Sequence, residues 1–387
     1  MSTKQIRSRV ICVMGRPLDQ DDGIGVYTLQ LLRNMLQLDP ASRYVILLRT
    51  PKHAATFQSY PNAETRVIPA RVKLWWDQIS VARAARSVGA DIIFNPKFSI
   101  PFLSMRPSVF VLHGSDWYVN PGNYTWWDNL YIRVMLPLYC RKAAKLLSIS
   151  DIALADMVKY ANIDATKVTP SYAAPGPHFR PINDRTALQA FAQRHHLPER
   201  FILTVARAYH TGHGGVLEYP GGNNENLIGG YRRYRAAGGR LPLVVVGRDI
   251  DAYLHRRGFD ETALEGVYFT GFIPNEEIVH AYNLADFFIL CTLYESFPLP
   301  VTETMACGCP AILPTTGGCR GVAQEAARYI DPHDVDDIGN AMTELAGSED
   351  LRSRMRDAGL RRIQEFTWAK TAERTLGVFD SLASRAG

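Results

Sequence analysis

The passage Leu293–Pro314, LYESFPLPVTETMACGCPAILP, gathers residue types suited to a phosphorylated, hydroxyl-rich ligand. An apolar run (FFILC) ends, and a turn follows with Glu295, Ser296, Phe297, Pro298 and Pro300. A short helix is predicted to begin near Val301 and to stop at Gly308–Pro310. Pro300 suits a first helical turn, where its missing N–H costs nothing, and glycine followed by proline is a stop signal. A helix N-terminus at a strand edge presents N–H groups and the positive end of a dipole to an anion. Glu295 in the turn and Glu303 in the helix are expected to face the same edge. A diphosphate can then sit at the N-terminus with a carboxylate on either side to grip hydroxyls, an arrangement that suits a sugar-nucleotide. The plainer reading makes Glu295 a surface turn residue and Glu303 part of a solvated helix face.

Such a site needs strands to carry it, and the chain supplies them. Apolar runs occur at Val10–Met14, Tyr44–Leu48, Arg66–Pro69, Ile92–Phe94, Val109–Leu112 and Leu146–Ser150 in the first half. In the second half they occur at Phe201–Val205, Leu243–Val246, Val267–Thr270, Phe287–Cys291 and Ala311–Leu313. Most are continuously apolar, as parallel strands covered on both faces must be. Helix-like stretches such as Tyr27–Leu38, Gln78–Val88, Asp151–Tyr160 and Ile278–Leu284 lie between them. Repeated β-then-α order predicts a doubly wound parallel sheet in each half. Ala174–Asn183, with three prolines and a glycine, breaks both periodicities and marks the boundary. The expected division is residues 1–180 and 181–367, with an amphipathic helix at 368–387 after the second domain. Open α/β sheets bind ligands at their C-terminal strand edges, so a cleft shared by the two is the default site.

Two glutamates with seven residues between them in ESFPLPVTE, followed by CGCP and a TTGG turn, resemble the signature of retaining GT-B glycosyltransferases of family 4. GIGVYTLQLL (Gly23–Leu32) resembles that family's first glycine-rich strand-to-helix turn, and LHGSDW (Leu112–Trp117) its histidine loop. LTVARA (Leu203–Ala208) resembles its glycine-arginine strand end, and FTWAKTAERTL (Phe366–Leu376) its C-terminal crossover helix. The resemblance implies a GT-B fold: two Rossmann-like domains facing a cleft, the first binding the acceptor and the second the nucleotide sugar, with the last helix crossing back to the first. It further implies that Glu295 holds donor-sugar hydroxyls and Glu303 the ribose diol. Backbone groups at Phe297, Pro298 and Leu299 are implied to meet sugar or phosphate, and Gly23 and Gly25 to allow close approach of the diphosphate. His113 is implied to stand near the transferred sugar, and Arg207 to neutralise charge on the leaving phosphate.

The chain departs from the family at one place. A lysine-asparagine pair should follow Arg207 shortly, but here ARAYHTGHGGVLEYPGGNNENL is longer and Glu225–Asn226 stands in the pair's place. Either Arg248, Arg232 or Arg233 substitutes for the missing cation, or the insert at 209–224 with His210 and His213 reshapes the site, or the donor is unusual. Asp249-Ile-Asp251 reads as a polar loop rather than a cation-holding pair. The six cysteines form no CxxC or Cys/His spacing, so no metal and no cofactor are expected, and reduced buried thiols suit a cytoplasmic setting.

Charge is unevenly spread. Residues 1–180 hold 22 Lys+Arg against 12 Asp+Glu, a balance of +10, so the remaining 21 basic and 26 acidic residues give −5. The first half is thus expected to meet something anionic. No run approaches the roughly 20 apolar residues of a membrane helix, and Val10–Met14 is too short for a signal peptide. Arg71–Arg86 (RVKLWWDQISVARAAR) suggests peripheral contact with the inner face of a membrane or a lipid-linked acceptor; equally, Trp75 or Trp76 docks this segment on its own sheet. Trp126 and Trp127 are expected in the core or an acceptor cleft. No nucleic-acid motif is present.

The resemblance thus implies a retaining, metal-independent transfer of a hexose from a UDP- or GDP-sugar to a hydroxyl of a saccharide or lipid-linked acceptor, and polysaccharide or glycolipid assembly is the commonest setting for enzymes of this kind. A sugar-nucleotide epimerase, which needs no acceptor, and a non-catalytic nucleotide- or glycan-binding protein of the same fold are the rival readings.

Overall fold

The computed structural model describes residues 8–20, 23–206, 208–210, 216–218 and 222–383. The chain divides into two compact units, Met1–Ala174 with Phe366–Gly387, and Pro175–Glu365. The second unit thus starts at Pro175 rather than 181, because its own groups bind the proline-rich segment. His178 Nε2 meets the Asn275 carbonyl at 2.8 Å, and Ile182 N–H donates to Asn283 Oδ1 at 2.7 Å. Asn283 Nδ2 donates in turn to the Arg180 carbonyl at 3.0 Å.

The first unit is built on seven parallel strands: β1 Val10–Met14, β2 Arg43–Leu48, β3 Ala63–Val67, β4 Ile92–Asn95, β5 Ser108–Leu112, β6 Lys145–Ser148 and β7 Val168–Pro170. Their order is β3-β2-β1-β4-β5-β6-β7, so the winding reverses between β1 and β4. Central strands such as β5 are buried along their whole length, as covered parallel strands require. The edge strand β3 (AETRV) is only half-buried and begins three residues earlier than the apolar run Arg66–Pro69 suggested. An edge strand needs no continuous apolar face, so hydrophobicity locates it poorly.

The helix Trp368–Ala383 returns to this first unit. Thr371 Oγ1 donates to the Tyr172 carbonyl at 2.6 Å, Phe379 meets Phe94 edge-on at 5.3 Å between centroids, and Arg9 Nη1 pairs with Asp380 Oδ1 at 2.8 Å. At the β3–β4 crossover, a π-helical turn Trp76–Ser80 leads into the helix Val81–Ser87. Trp76 is fully buried with its Nε1 donating to the Ile68 carbonyl at 2.9 Å, whereas Trp75 is 59% exposed. Trp126 and Trp127 are exposed as well, which overturns their expected place in the core.

The second unit carries β8 Ile202–Val205, the antiparallel hairpin β9 Ala208–His210 and β10 Val216–Glu218, then β11 Leu243–Val246, β12 Val267–Gly271, β13 Phe287–Ile289, β14 Ala311–Pro314 and β15 Ala327–Ile330. Its parallel sheet has the order β12-β11-β8-β13-β14-β15, and the winding reverses between β8 and β13. An apolar core including Tyr231, Leu243, Val245, Phe287, Ile289 and Ile312 binds helices to this sheet. Among the described residues, no helix is long and apolar enough to cross a membrane.

Candidate functional site

Ligands of open α/β sheets sit outside the C-terminal ends of the strands at the point where the winding reverses. In the second unit that point lies beyond β8 and β13, and the chain leaving β13 is the ESFPLP turn. Placement of Glu295 therefore follows from topology. The helix that follows runs Leu299–Cys307, two residues earlier than expected, with Pro298 at its N-cap and Pro300 in its first turn. It ends at Gly308, whose φ of +70° suits a residue without Cβ. Pro298 has no N–H, and its carbonyl accepts from Val301 N at 3.1 Å, so within 297–299 only Phe297 and Leu299 carry an amide proton.

The Glu295 turn is held from behind by the TTGG turn that leaves β14. Gly318 N–H donates to the Glu295 carbonyl at 2.7 Å. Gly317 has φ +63°, and a Cβ there meets the Glu295 backbone oxygen at 2.6 Å; one on Gly318 meets the Ser296 oxygen at 2.4 Å. Two glycines are thus required for the close approach of two backbones. Thr316 Oγ1 adds a bond to the Thr292 carbonyl at 3.2 Å, and Asn223 Nδ2 donates to the carbonyls of Cys291 and Pro332 at 2.9 and 2.7 Å. The loops after β13, β14 and β15 are therefore tied into one edge.

Glu303 lies inside the helix, and Tyr282 Oη donates to its Oε2 at 3.0 Å. Burial pushes the Glu303 pKa up to about 7, against the lowering effect of that hydrogen bond. Tyr282 is buried and its own pKa is raised, first by desolvation and then by the Glu303 charge. A carboxylate so placed gains from hydroxyl donors such as a ribose diol. Glu303 is not a solvated surface acid.

Glu225 is answered by a cation that sequence reading did not name. Arg257 Nε donates to Glu225 Oε1 at 2.6 Å and Nη2 to Oε2 at 3.2 Å, while Tyr253 Oη reaches Oε1 at 2.8 Å. The Arg257 bond, chiefly, holds the Glu225 carboxyl below the usual range. Of the arginines considered as substitutes, Arg233 is paired with Asp336 at 2.6 Å, and Arg232 is exposed on the same helix. Arg248 stands two residues past the end of β11 and is exposed, its guanidinium 5.3 Å from the Phe272 ring centre. Gly247 beside it packs so closely on the end of β8 that a Cβ meets the Ala206 oxygen at 2.2 Å. Arg248 thus stands at the strand edge next to the end of β8. Arg207 and His213 lie outside the described residues, as do the His210 side chain and much of the 209–224 insert.

In the first unit the expected residues also gather at the strand edge. His113 follows β5, with Nε2 2.5 Å from the Pro96 carbonyl beyond β4 and its ring edge-on to Tyr27 at 4.8 Å. Since the carbonyl only accepts, Nε2 carries the proton. Tyr27 belongs to the helix Gly23–Leu38. A Cβ on Gly25 meets the Gln20 oxygen at 1.9 Å, so this glycine is needed for the chain's own turn before any ligand arrives. Gly23 opens the same helix.

All six cysteines are buried and none is joined in a disulfide, and among the described residues no group of three His, Cys, Asp or Glu is arranged to hold a metal ion. Asp251 lies within the helix Ile250–Arg256, its carbonyl meeting His255 Nδ1 at 2.8 Å.

Residues 192–362 match the model of the family described as glycosyl transferases group 1. The chain is 27% identical over 250 residues to the serotype-specific mannosyltransferase WbdA of Escherichia coli, covering 62% of this chain and 29% of that one. It thus spans less than a third of that relative's length. It is 22% identical over 307 residues to O-antigen chain mannosyltransferase B of Escherichia coli, covering 78% and 77% of the two. Among solved structures, a glycosyltransferase from Rickettsia africae superimposes with a TM-score of 0.75 at 12% identity, covering 97% of this chain and 99% of that one. Anabaena HepE in complex with UDP superimposes with a TM-score of 0.70 at 14% identity, covering 97% and 100%. Two Rossmann-like units with parallel sheets and these neighbours make the fold GT-B.

Proposed function

We propose that this chain is a group 1 glycosyltransferase of family 4 that moves a hexose from a nucleoside-diphosphate sugar to a hydroxyl of a saccharide or lipid-linked acceptor in polysaccharide assembly. The observation that carries the reading is that the chain leaving β13 at the reversal point of the second sheet holds Glu295 in its turn and leads into the helix Leu299–Cys307, within which Glu303 is bound by Tyr282. The family match over 192–362 covers this region. The mannosyltransferase names of the relatives favour mannose as the sugar.

In this proposal Glu303 accepts hydrogen bonds from the ribose diol, and Glu295 holds hydroxyls of the donor sugar. The diphosphate takes the amide groups of Phe297 and Leu299 and the positive end of the helix. Arg248 and Arg207 supply the charge that stabilises the leaving diphosphate, the position where such stabilisation is worth most. The bond from the sugar's anomeric carbon to phosphate breaks on the face where the acceptor oxygen attaches. The acceptor proton passes to the leaving phosphate oxygen, so configuration is retained and no metal is required. His113 in the first unit is assigned to hydrogen-bond a sugar hydroxyl.

Calorimetric titration with UDP, GDP, ADP and TDP, without metal, tests the donor site. Selective binding of one of them, lost in Glu303→Ala, supports the reading; no binding by any of the four overturns it. Glu295→Gln should then reduce turnover about 100-fold with diphosphate affinity held within about threefold, since its contacts matter most in the transition state. A variant with full rate removes Glu295 from its role.

A further inference from the structure

The helix Trp126–Lys142 has two apolar faces, and only one of them is covered. Ile132, Leu136, Tyr139 and Cys140 are buried against the first sheet. On the other side Trp126, Trp127, Leu130, Val134 and Leu138 are between 40% and 63% exposed. Four of these recur every fourth residue, so they line one side of a helix about 25 Å long. A surface helix ordinarily places charged residues there, and contiguous exposed apolar surface marks an interaction face.

The exposed apolar surface continues on segments packed against this helix. Lys73 Nζ lies 5.7 Å from the Tyr131 ring centre, and beside it Leu74 and Trp75 are 51% and 59% exposed. Phe102 stacks on Tyr139 at 4.9 Å, and beyond it Leu103 and Met105 are 76% and 92% exposed. The charge on the same elements is nearly all positive. Arg133, Arg141 and Lys142 are exposed on the helix, whose single acid is Asp128. Arg71, Lys73 and Arg106 are exposed on the flanking segments.

We propose that the first unit docks on an anionic lipid bilayer through this outer face of the helix Trp126–Lys142. The apolar side chains sink to the acyl boundary with the helix lying in the membrane plane, the two tryptophans sit at headgroup level, and the arginines and lysines meet lipid phosphates. Charge decides between a bilayer and a second copy of the chain. A two-fold contact would bury the same patch from both copies, whose charges are nearly all positive, whereas an anionic surface neutralises them. The inference is independent of which sugar the second unit handles.

Co-sedimentation of the full chain with vesicles of phosphatidylcholine alone, or of phosphatidylcholine and phosphatidylglycerol in equal parts, is the test. The wild type should pellet with the anionic vesicles at low salt and less at high salt. The pair Trp127→Glu with Leu130→Glu should weaken binding at least about tenfold. Arg133→Glu with Arg141→Glu should abolish the preference for anionic lipid. The milder pair Leu130→Ser with Val134→Ser, checked for an unchanged melting curve, separates lost docking from lost fold. Failure of the wild type to pellet at low salt overturns the proposal. So does wild-type binding by both apolar variants, or a dimer in sedimentation velocity that these variants dissolve while vesicles are ignored.

Discussion

The Tyr282 hydroxyl donates to Glu303 Oε2 at 3.0 Å, joining the helix Ile278–Leu284 to the helix Leu299–Cys307 at a carboxyl whose pKa burial has raised to about 7. Folding favours the protonated form, because the native value lies above the ordinary 4.5. The carboxyl therefore costs nothing below about pH 4.5, and its full penalty is present above about pH 7. Thermal unfolding of the ligand-free protein from pH 4.5 to 8 should show Glu303→Gln gaining on the wild type as pH rises, by about 2 kcal/mol at the alkaline end.

Nucleotide binding should run the other way. A carboxylate that accepts from a ribose diol must be ionised, so diphosphate affinity should rise severalfold from pH 6 to pH 8. Tyr282→Phe removes a hydrogen bond that lowers the Glu303 pKa, and the rise should move to higher pH by about half a unit to one unit. Calorimetric titration across this range measures both. A midpoint in Tyr282→Phe that is unmoved or shifted to lower pH contradicts the assignment.

Gly317→Ala should unfasten the Glu295 turn. Its φ of +63° disfavours any side chain, and the new Cβ strikes the Glu295 backbone. We expect a loss of about 2 kcal/mol in urea unfolding and a fall in turnover of at least about tenfold. Wild-type turnover in this variant would show that the turn does not need its present conformation.

Glu225 and Arg248 should behave in opposite ways. Glu225 spends its charge on Arg257 and Tyr253, so Glu225→Ala should change diphosphate affinity less than about twofold. Arg248→Ala removes an exposed cation from the strand edge and should weaken binding about fivefold, less so at high salt. Titration at two ionic strengths compares them.

Much of this was legible because local chemistry and topology agree. The ESFPLP turn, the proline in the first turn of its helix and Gly308 at its end are all short-range signals, and the structure follows them to within two residues. Central strands were readable from apolar runs for the same reason. The edge strands β3, β7 and β15 were displaced or missed, since residues such as those of ARYI need bury only part of one face. The partner of Glu225 stands 32 residues away, just past the end of another helix, a pairing that no spacing rule reveals. Trp126 and Trp127 were expected in the core or an acceptor cleft, and the core reading fails because hydrophobicity alone does not say which of two apolar faces a helix will cover.

The helix Trp368–Ala383 covers Tyr27 and Phe94 of the first unit, yet it is synthesised after the whole of Pro175–Glu365. The nascent first unit must therefore wait, its last apolar surface open to chaperones, while the second unit emerges and folds. Biosynthetic order and structural membership are decoupled. A ribosome that stalls or a protease that cuts after Glu365 leaves an intact second unit attached to an unfinished first one.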